Sequence, residues 1–223
     1  IKQQIYKWVN KKVAKKSSHI ITISNFVKND LIQFTGVNPE KITVTLESAD
    51  ELPKGNEPVD ELIGKKFIMY IGRPTPHKNL RRLIDAFALL QKKYPELTLA
   101  LAGKKDSNYA RHEAYVNEHG IKNVVFTGFI SDEQLRWMYE NTAVYCFPSL
   151  SEGFGLPGLE AMLHGAPVAS STATCLPETH GDAARYFDPF SVEDIAKSID
   201  DILSDDKLRN ELVKKGKKHV KTF

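Results

Sequence analysis

Short apolar runs rich in β-branched residues alternate along this chain with longer stretches in which apolar positions recur every three to four residues. That alternation predicts an α/β fold, a parallel sheet covered by helices on both faces. Strands are predicted at 19–23, 42–45, 67–71, 97–101, 124–126, 143–147 and 167–170, and helices at 24–35, 79–94, 109–119, 132–140, 156–164 and 192–203. A further basic helix is predicted at 207–218. Ser131 with Gln134 forms a capping-box pattern and Ser191 with Asp194 comes close to one. Gly36, Gly120 and Gly165 stand where left-handed residues end helices. Segment 52–64 mixes proline, glycine and acid and predicts a surface loop or linker. No internal repeat interrupts the pattern.

Composition changes this picture only at the margins. With 223 residues and 41% hydrophobic content, the chain is long enough for one large domain or a domain plus a fragment. A net charge of +3 is too small to argue for nucleic acid, and no aromatic-basic stripe of the single-strand-binding kind occurs, so no nucleic-acid partner is expected. Cys146 and Cys175 have no second pair at metal spacing, which predicts buried thiols in a reducing compartment. No apolar run approaches the ~18 residues of a membrane span, and no secretory core opens the chain. The first residue is Ile1 rather than methionine, which predicts a fragment of something longer. Lys2, Lys7, Lys11, Lys12, Lys15 and Lys16 crowd the opening stretch without an acid, beside Ile5, Trp8, Val9 and Val13. Such a helix is expected to pack its apolar stripe on protein, with peripheral membrane contact as the alternative.

In an open parallel sheet a ligand lies beyond the carboxyl ends of the strands, so the residues following each strand are where chemistry is sought. After Ile71 comes Gly72-Arg73-Pro74-Thr75-Pro76-His77-Lys78-Asn79, which sets a guanidinium and an ammonium five residues apart before a helix; together they can neutralise a diphosphate. After Phe126 comes Thr127-Gly128-Phe129-Ile130-Ser131, whose glycine lets backbone approach a flat base and whose Ile130 N–H and C=O can read its edge. After Phe147 comes a glycine-rich turn, Ser151-Glu152-Gly153-Phe154-Gly155-Leu156-Pro157-Gly158-Leu159-Glu160. Its backbone N–H groups can meet a phosphate at a helix start, and its two carboxylates can accept from hydroxyls at both ends of one ligand. Singly, these residues read otherwise: Arg73 and Lys78 as solvated surface cations, Phe129 as core, Glu152 and Glu160 as an N-terminal dipole partner and a solvated helix face, and His77, His164 and His180 as structural or surface residues. In combination they read as a site for a nucleotide-sugar. One rival enzyme reading exists, because Gly153, Gly155 and Gly158 also satisfy G-x-G-x-x-G with Glu178 about twenty residues on, the arrangement of a nicotinamide-dependent oxidoreductase. The other alternative is a non-catalytic nucleotide- or partner-binding module.

From Glu152 to Glu160 the sequence resembles the E-x7-E motif of retaining GT-B glycosyltransferases, a family that includes many bacterial mannosyltransferases. Gly72-Arg73 with Lys78-Asn79-Leu80 resembles that family's diphosphate loop and 127–131 its base-binding turn, while 160–168, 176–178 and 181–189 resemble its usual continuation. The likeness runs from about residue 14 to the end. It implies the C-terminal, donor-binding half of a GT-B fold at 39–223, preceded at 1–38 by a remnant of the acceptor domain and stopping before the helix that crosses back. Glu152 is implied to hold the donor-sugar hydroxyls and to position the donor, Glu160 the ribose, Arg73 and Lys78 the diphosphate, and the backbone of Gly153, Phe154, Gly155 and Leu156 the sugar-proximal phosphate or sugar. The cations take the place of a metal, so neither metal nor cofactor is expected. The implied partners are a donor resembling GDP-mannose and a glycan or lipid-linked acceptor, handled in the cytoplasm or at the inner face of the membrane. Where the family has an Asn-Gly-Val/Ile-Asp turn this chain has Glu47-Ser48-Ala49-Asp50.

Overall fold

The computed structural model describes residues 2–55 and 57–223. Strands β1 (Ile20–Thr22) and β2 (Ile42–Val44) form a two-stranded parallel sheet with helices α1 (Lys2–Lys16) and α2 (Asn25–Thr35) beside it. The boundary expected after residue 38 falls between these two paired strands. The second sheet is six-stranded, in the order β5-β4-β3-β6-β7-β8, and parallel throughout. Its strands are β3 (Phe67–Ile71), β4 (Thr98–Ala102), β5 (Val124–Gly128), β6 (Val144–Phe147), β7 (Val168–Ser171) and β8 (Ala184–Phe187).

The connecting helices are α3 (Leu80–Leu90), α4 (Ser107–Glu118), α5 (Asp132–Asn141), α6 (Leu156–Leu163), α7 (Leu176–His180), α8 (Val192–Ser204) and α9 (Asp206–His219). α3 buries Leu80, Leu83, Ile84, Phe87 and Leu90, and α8 buries Ile195, Ile199 and Ile202, both at helical spacing. These faces share one core with Ile68, Tyr70, Leu99, Leu101 and Tyr109 on one side of the sheet. On the other side α5, α6 and α7 pack over Met69, Ala100, Tyr145 and Phe147. This is the Rossmann-like parallel sheet with helices on both faces that the sequence predicts for the C-terminal half of a GT-B fold.

The strand order reverses between β3 and β6. β3 leads to β4 and β5 in one direction, and β6 leads to β7 and β8 in the other, so the loops after β3 and β6 flank an open switch point. Across it, Leu150 donates its N–H to the His77 carbonyl at 2.7 Å, and the Asn79 side chain donates to the Pro148 carbonyl at 3.0 Å.

Two expectations need correction. The linker predicted at 52–64 is tied down at its end, where Val59 and Leu62 are buried against the second core; position 56 within it lies outside the described residues. The helix predicted to reach residue 94 ends at Leu90, and the chain passes through turns to Pro95, before which helical backbone is disfavoured. The molecule's two tryptophans lie in different units: Trp8 on α1 is 59% exposed, whereas Trp137 on α5 stacks on Phe67 with ring centroids 6.0 Å apart. Ile5, Val9 and Val13 on α1 are also exposed. No helix among the described residues is long and apolar enough to cross a membrane.

Candidate active site

Gly72 and Gly103 directly follow β3 and β4, and Gly128 ends β5, with φ of 144°, 148° and 77°. A Cβ on Gly103 would meet the Gly72 carbonyl oxygen at 2.4 Å, so the two strand ends approach as closely as backbone allows. Over this floor opens a cleft of about 560 Å³. Gly72, Arg73, Gly103 and Lys104 line it from the ends of β3 and β4, and Phe129, Ile130 and Asp132 from the end of β5. Phe129 is 86% exposed, so its reading as a core residue does not hold.

Arg73 points along the cleft wall, its Nε 3.4 Å from the Asp106 carboxylate. Asp106 also caps α4 by accepting from the N–H groups of Asn108 and Tyr109. Desolvation works to raise the Asp106 carboxyl, but those two donors and Arg73 outweigh it and hold the group below its ordinary value. The Arg73 side chain is 77% exposed, which leaves most of its donors in solvent.

Lys78 and Glu152 meet directly across the switch point. The Lys78 ammonium donates to Glu152 Oε1 at 2.6 Å, with side-chain exposures of 21% and 13%, and the ammonium sits over the Phe147 ring at 5.8 Å from its centroid. Lys78 ends a short 3-10 turn (Pro76–Lys78), and Glu152 lies in the loop before α6, as its spacing predicts. Glu160 is on α6, where its carboxylate accepts from the Tyr139 hydroxyl at 3.2 Å. Burial raises the Glu160 carboxyl above the usual range; the Tyr139 hydrogen bond opposes this and the charge of Asp132, on the cleft wall, adds to it. Thus Gly72, Arg73, Phe129 and Ile130 share the cleft, Glu160 lies on α6 against Tyr139 and is not among the residues lining it, and Lys78 and Glu152 form a pair of their own across the switch point.

The glycine-rich turn is built as a left-handed entry to α6. Gly155 has φ of 107°, and the helix starts at Leu156 with Pro157 in its first turn. Phe154 is buried and meets the Phe223 ring edge-on at 5.7 Å. His180, expected to be structural, is fully buried behind the turn and touches Ser170 and Gly155. His164 accepts from the Leu52 N–H, and His77 is exposed. Glu178, the acid of the dinucleotide reading, does not face the cleft: its carboxylate accepts from the N–H groups of Asn25 and Phe26 at 2.7 and 2.9 Å and caps α2. Both thiols are free and buried. No group of three or more metal-ligating side chains occurs among the described residues.

Sequence reasoning missed Gly103, Lys104 and Asp106, because β4 was expected to end at Leu101 and the residues after it were not read as a strand end. It also missed Tyr139, whose partner Glu160 is 21 residues away and is found only by packing α5 beside α6.

Comparison with known proteins identifies the family. The family described as "Glycosyl transferases group 1" matches residues 55–219. The chain is 31% identical to O-antigen chain mannosyltransferase B of Escherichia coli over 92% of its own length and 56% of that protein's. It is 30% identical to MMP alpha-(1->4)-mannosyltransferase of Mycolicibacterium hassiacum over 87% and 47% of the two chains. Among solved structures it is similar to sucrose-phosphate synthase from Thermosynechococcus elongatus, with a TM-score of 0.83 and 24% identity over 98% of this chain and 57% of that one. It is also similar to Anabaena Alr3699/HepE in complex with UDP and glucose, with a TM-score of 0.78 and 21% identity over 92% and 59%. The chain spans about half the length of these two curated relatives.

Proposed function

We propose that this chain, which belongs to the glycosyl transferases group 1 family, is the donor-binding part of an enzyme that moves a hexose from a nucleotide-sugar to a glycan or lipid-linked acceptor. The observation that carries the proposal is the cleft over the ends of β3, β4 and β5, with Arg73 and the exposed Phe129 on its walls, next to the reversal of strand order between β3 and β6, where Lys78 and Glu152 pair. In this reading the base lies against Phe129 and Ile130, Glu160 takes the ribose, Arg73 and Lys78 the diphosphate, and Glu152 the sugar hydroxyls.

Transfer proceeds with retention of configuration. The acceptor attacks from the face the leaving group departs, while the cations stabilise the developing negative charge on the nucleoside diphosphate. The donor is GDP-mannose or close to it, a reading supported by mannosyltransferases among the curated relatives. The acceptor is held by residues outside this chain, so the isolated chain binds donor but transfers sugar poorly or not at all. Efficient turnover of radiolabelled donor by this chain alone would contradict that division of labour.

Calorimetry with GDP, UDP, ADP, NAD and their sugar conjugates is the direct test. Tightest binding of a nucleoside diphosphate-sugar supports the proposal, and a preference for NAD would replace it with the oxidoreductase reading. Arg73→Ala and Lys78→Ala should each weaken diphosphate binding by about 1.5–3 kcal/mol, the scale of a hydrogen bond to a charged group. Unchanged affinity in both variants removes the clamp.

A further inference from the structure

The glycine-rich turn is held by side chains in an ordered way. The Glu152 carbonyl lies 3.3 Å from the Cys175 thiol, and the Gly153 carbonyl accepts from the Ser24 hydroxyl at 2.8 Å. The Phe154 carbonyl accepts from the Thr179 hydroxyl at 2.7 Å, with Cys175 Sγ at 3.3 Å. The Gly155 carbonyl lies 3.3 Å from Nε2 of His180, whose Nδ1 is 3.0 Å from the Ser170 hydroxyl. A carbonyl can only accept, so Nε2 carries the ring proton and Nδ1 accepts from Ser170. Four consecutive carbonyls, 152 to 155, are therefore each met by a side-chain donor, from α7, its N-cap Cys175 and the residue capping α2.

The amide side of the same turn is the converse. Among the described residues, the N–H groups of Gly153, Phe154, Gly155 and Leu156 meet no protein acceptor, whereas that of Glu152 donates to the Thr174 hydroxyl and that of Gly158 to the Gly155 carbonyl. Phe154 and Gly155 are buried residues flanked by half-buried Gly153 and Leu156, and backbone donors that find no acceptor in the protein are met by solvent or a ligand. Fixing every carbonyl of a short turn fixes its peptide planes, and with them the direction of the free N–H groups.

We infer that Thr179, Cys175, His180 and Ser24 are positioning residues that hold the carbonyls of 152–155 so that the N–H groups of 153–156 form a preset nest for the sugar-proximal phosphate of the donor. This deepens the donor-binding reading and rests on it. None of the four touches the donor. They act through the peptide planes, so their loss costs recognition of the second phosphate specifically and leaves binding of base, ribose and first phosphate in place.

Thr179 gives the cleanest test, because valine keeps its shape and removes its hydroxyl, while serine keeps the hydroxyl. Calorimetry is run with whichever of GDP or UDP binds the unaltered chain, and with the matching monophosphate, on the full 223-residue chain. Thr179→Val is expected to weaken diphosphate binding about tenfold and monophosphate binding less than about twofold, with Thr179→Ser restoring the diphosphate. In amide NMR of the unaltered chain, the signals of Gly153 to Leu156 should shift on adding diphosphate. Equal losses for the two nucleotides, or no loss for either, overturns the inference and leaves the donor reading standing. If the unaltered chain binds neither diphosphate, the donor reading fails and takes this one with it.

Discussion

Burial sets the protonation of His180. Desolvation lowers its pKa to about 4; the Gly155 hydrogen bond works against this and the charge of His219 works with it. In the unfolded chain the imidazole titrates near the ordinary ~6.5. Below that pH the unfolded state takes up a proton that the folded state refuses, so the stabilisation is complete above about pH 6.5 and is lost on descending to about pH 4. The full loss is on the order of 3 kcal/mol, and His180→Asn should flatten that part of a urea-derived stability profile. At the same scale, the Lys78–Glu152 pair was legible as two residues but not as a pair. Each follows a strand and so falls under the rule that ligands gather at strand ends, yet only the adjacency of β3 and β6 brings them to 2.6 Å.

Glycines at strand ends show how local backbone and neighbour packing combine. Gly103→Ala places a Cβ 2.4 Å from a backbone oxygen at φ of 148°, so neither side can give way cheaply. A loss of at least about 1–3 kcal/mol is expected from urea unfolding. Gly120, beyond the end of α4, also has a left-handed φ of 61° but nothing within 4 Å of its would-be Cβ. There the alanine variant should cost only the conformational penalty, about 1–2 kcal/mol. The elements that the sequence left unread are those whose pattern is weakest. β8 is four residues long and carries Arg185, which reaches out to Asp201 at 2.7 Å, so no apolar run announces it. α7 is five residues long, opens Leu-Pro and is shorter than the window in which helical periodicity can be counted. α3, α5 and α8 were legible because they bury regular stripes, and the Ser131–Gln134 box forms in both directions. Ser191 caps α8 alone, since the Asp194 carboxylate accepts from Asp188 instead.

The two sheets meet where α2 begins. Glu178 caps the first turn of α2, Ser24 reaches the Gly153 carbonyl, and Ile23 lies against Gly153, so the first unit rests on the same turn that carries Glu152. Glu178→Ala removes the acceptor of two backbone donors without touching either core. The Asn25 and Phe26 amides are then expected to exchange with solvent at least about tenfold faster while β3, β4 and β6 keep their protection. Uniform loosening of both sheets would show instead that they unfold as one body. This junction was invisible in the sequence because residues 153 positions apart supply it, and the acid involved had a competing reading as a ribose ligand. Each side of the junction carries its own fluorophore. Trp8, open to water on α1, should emit at long wavelength and quench readily with iodide, while Trp137, stacked on Phe67, should emit further to the blue and resist it. Phenylalanine at position 8 leaves Trp137 as the single tryptophan, so on selective excitation its shift to the red follows melting of the large sheet alone.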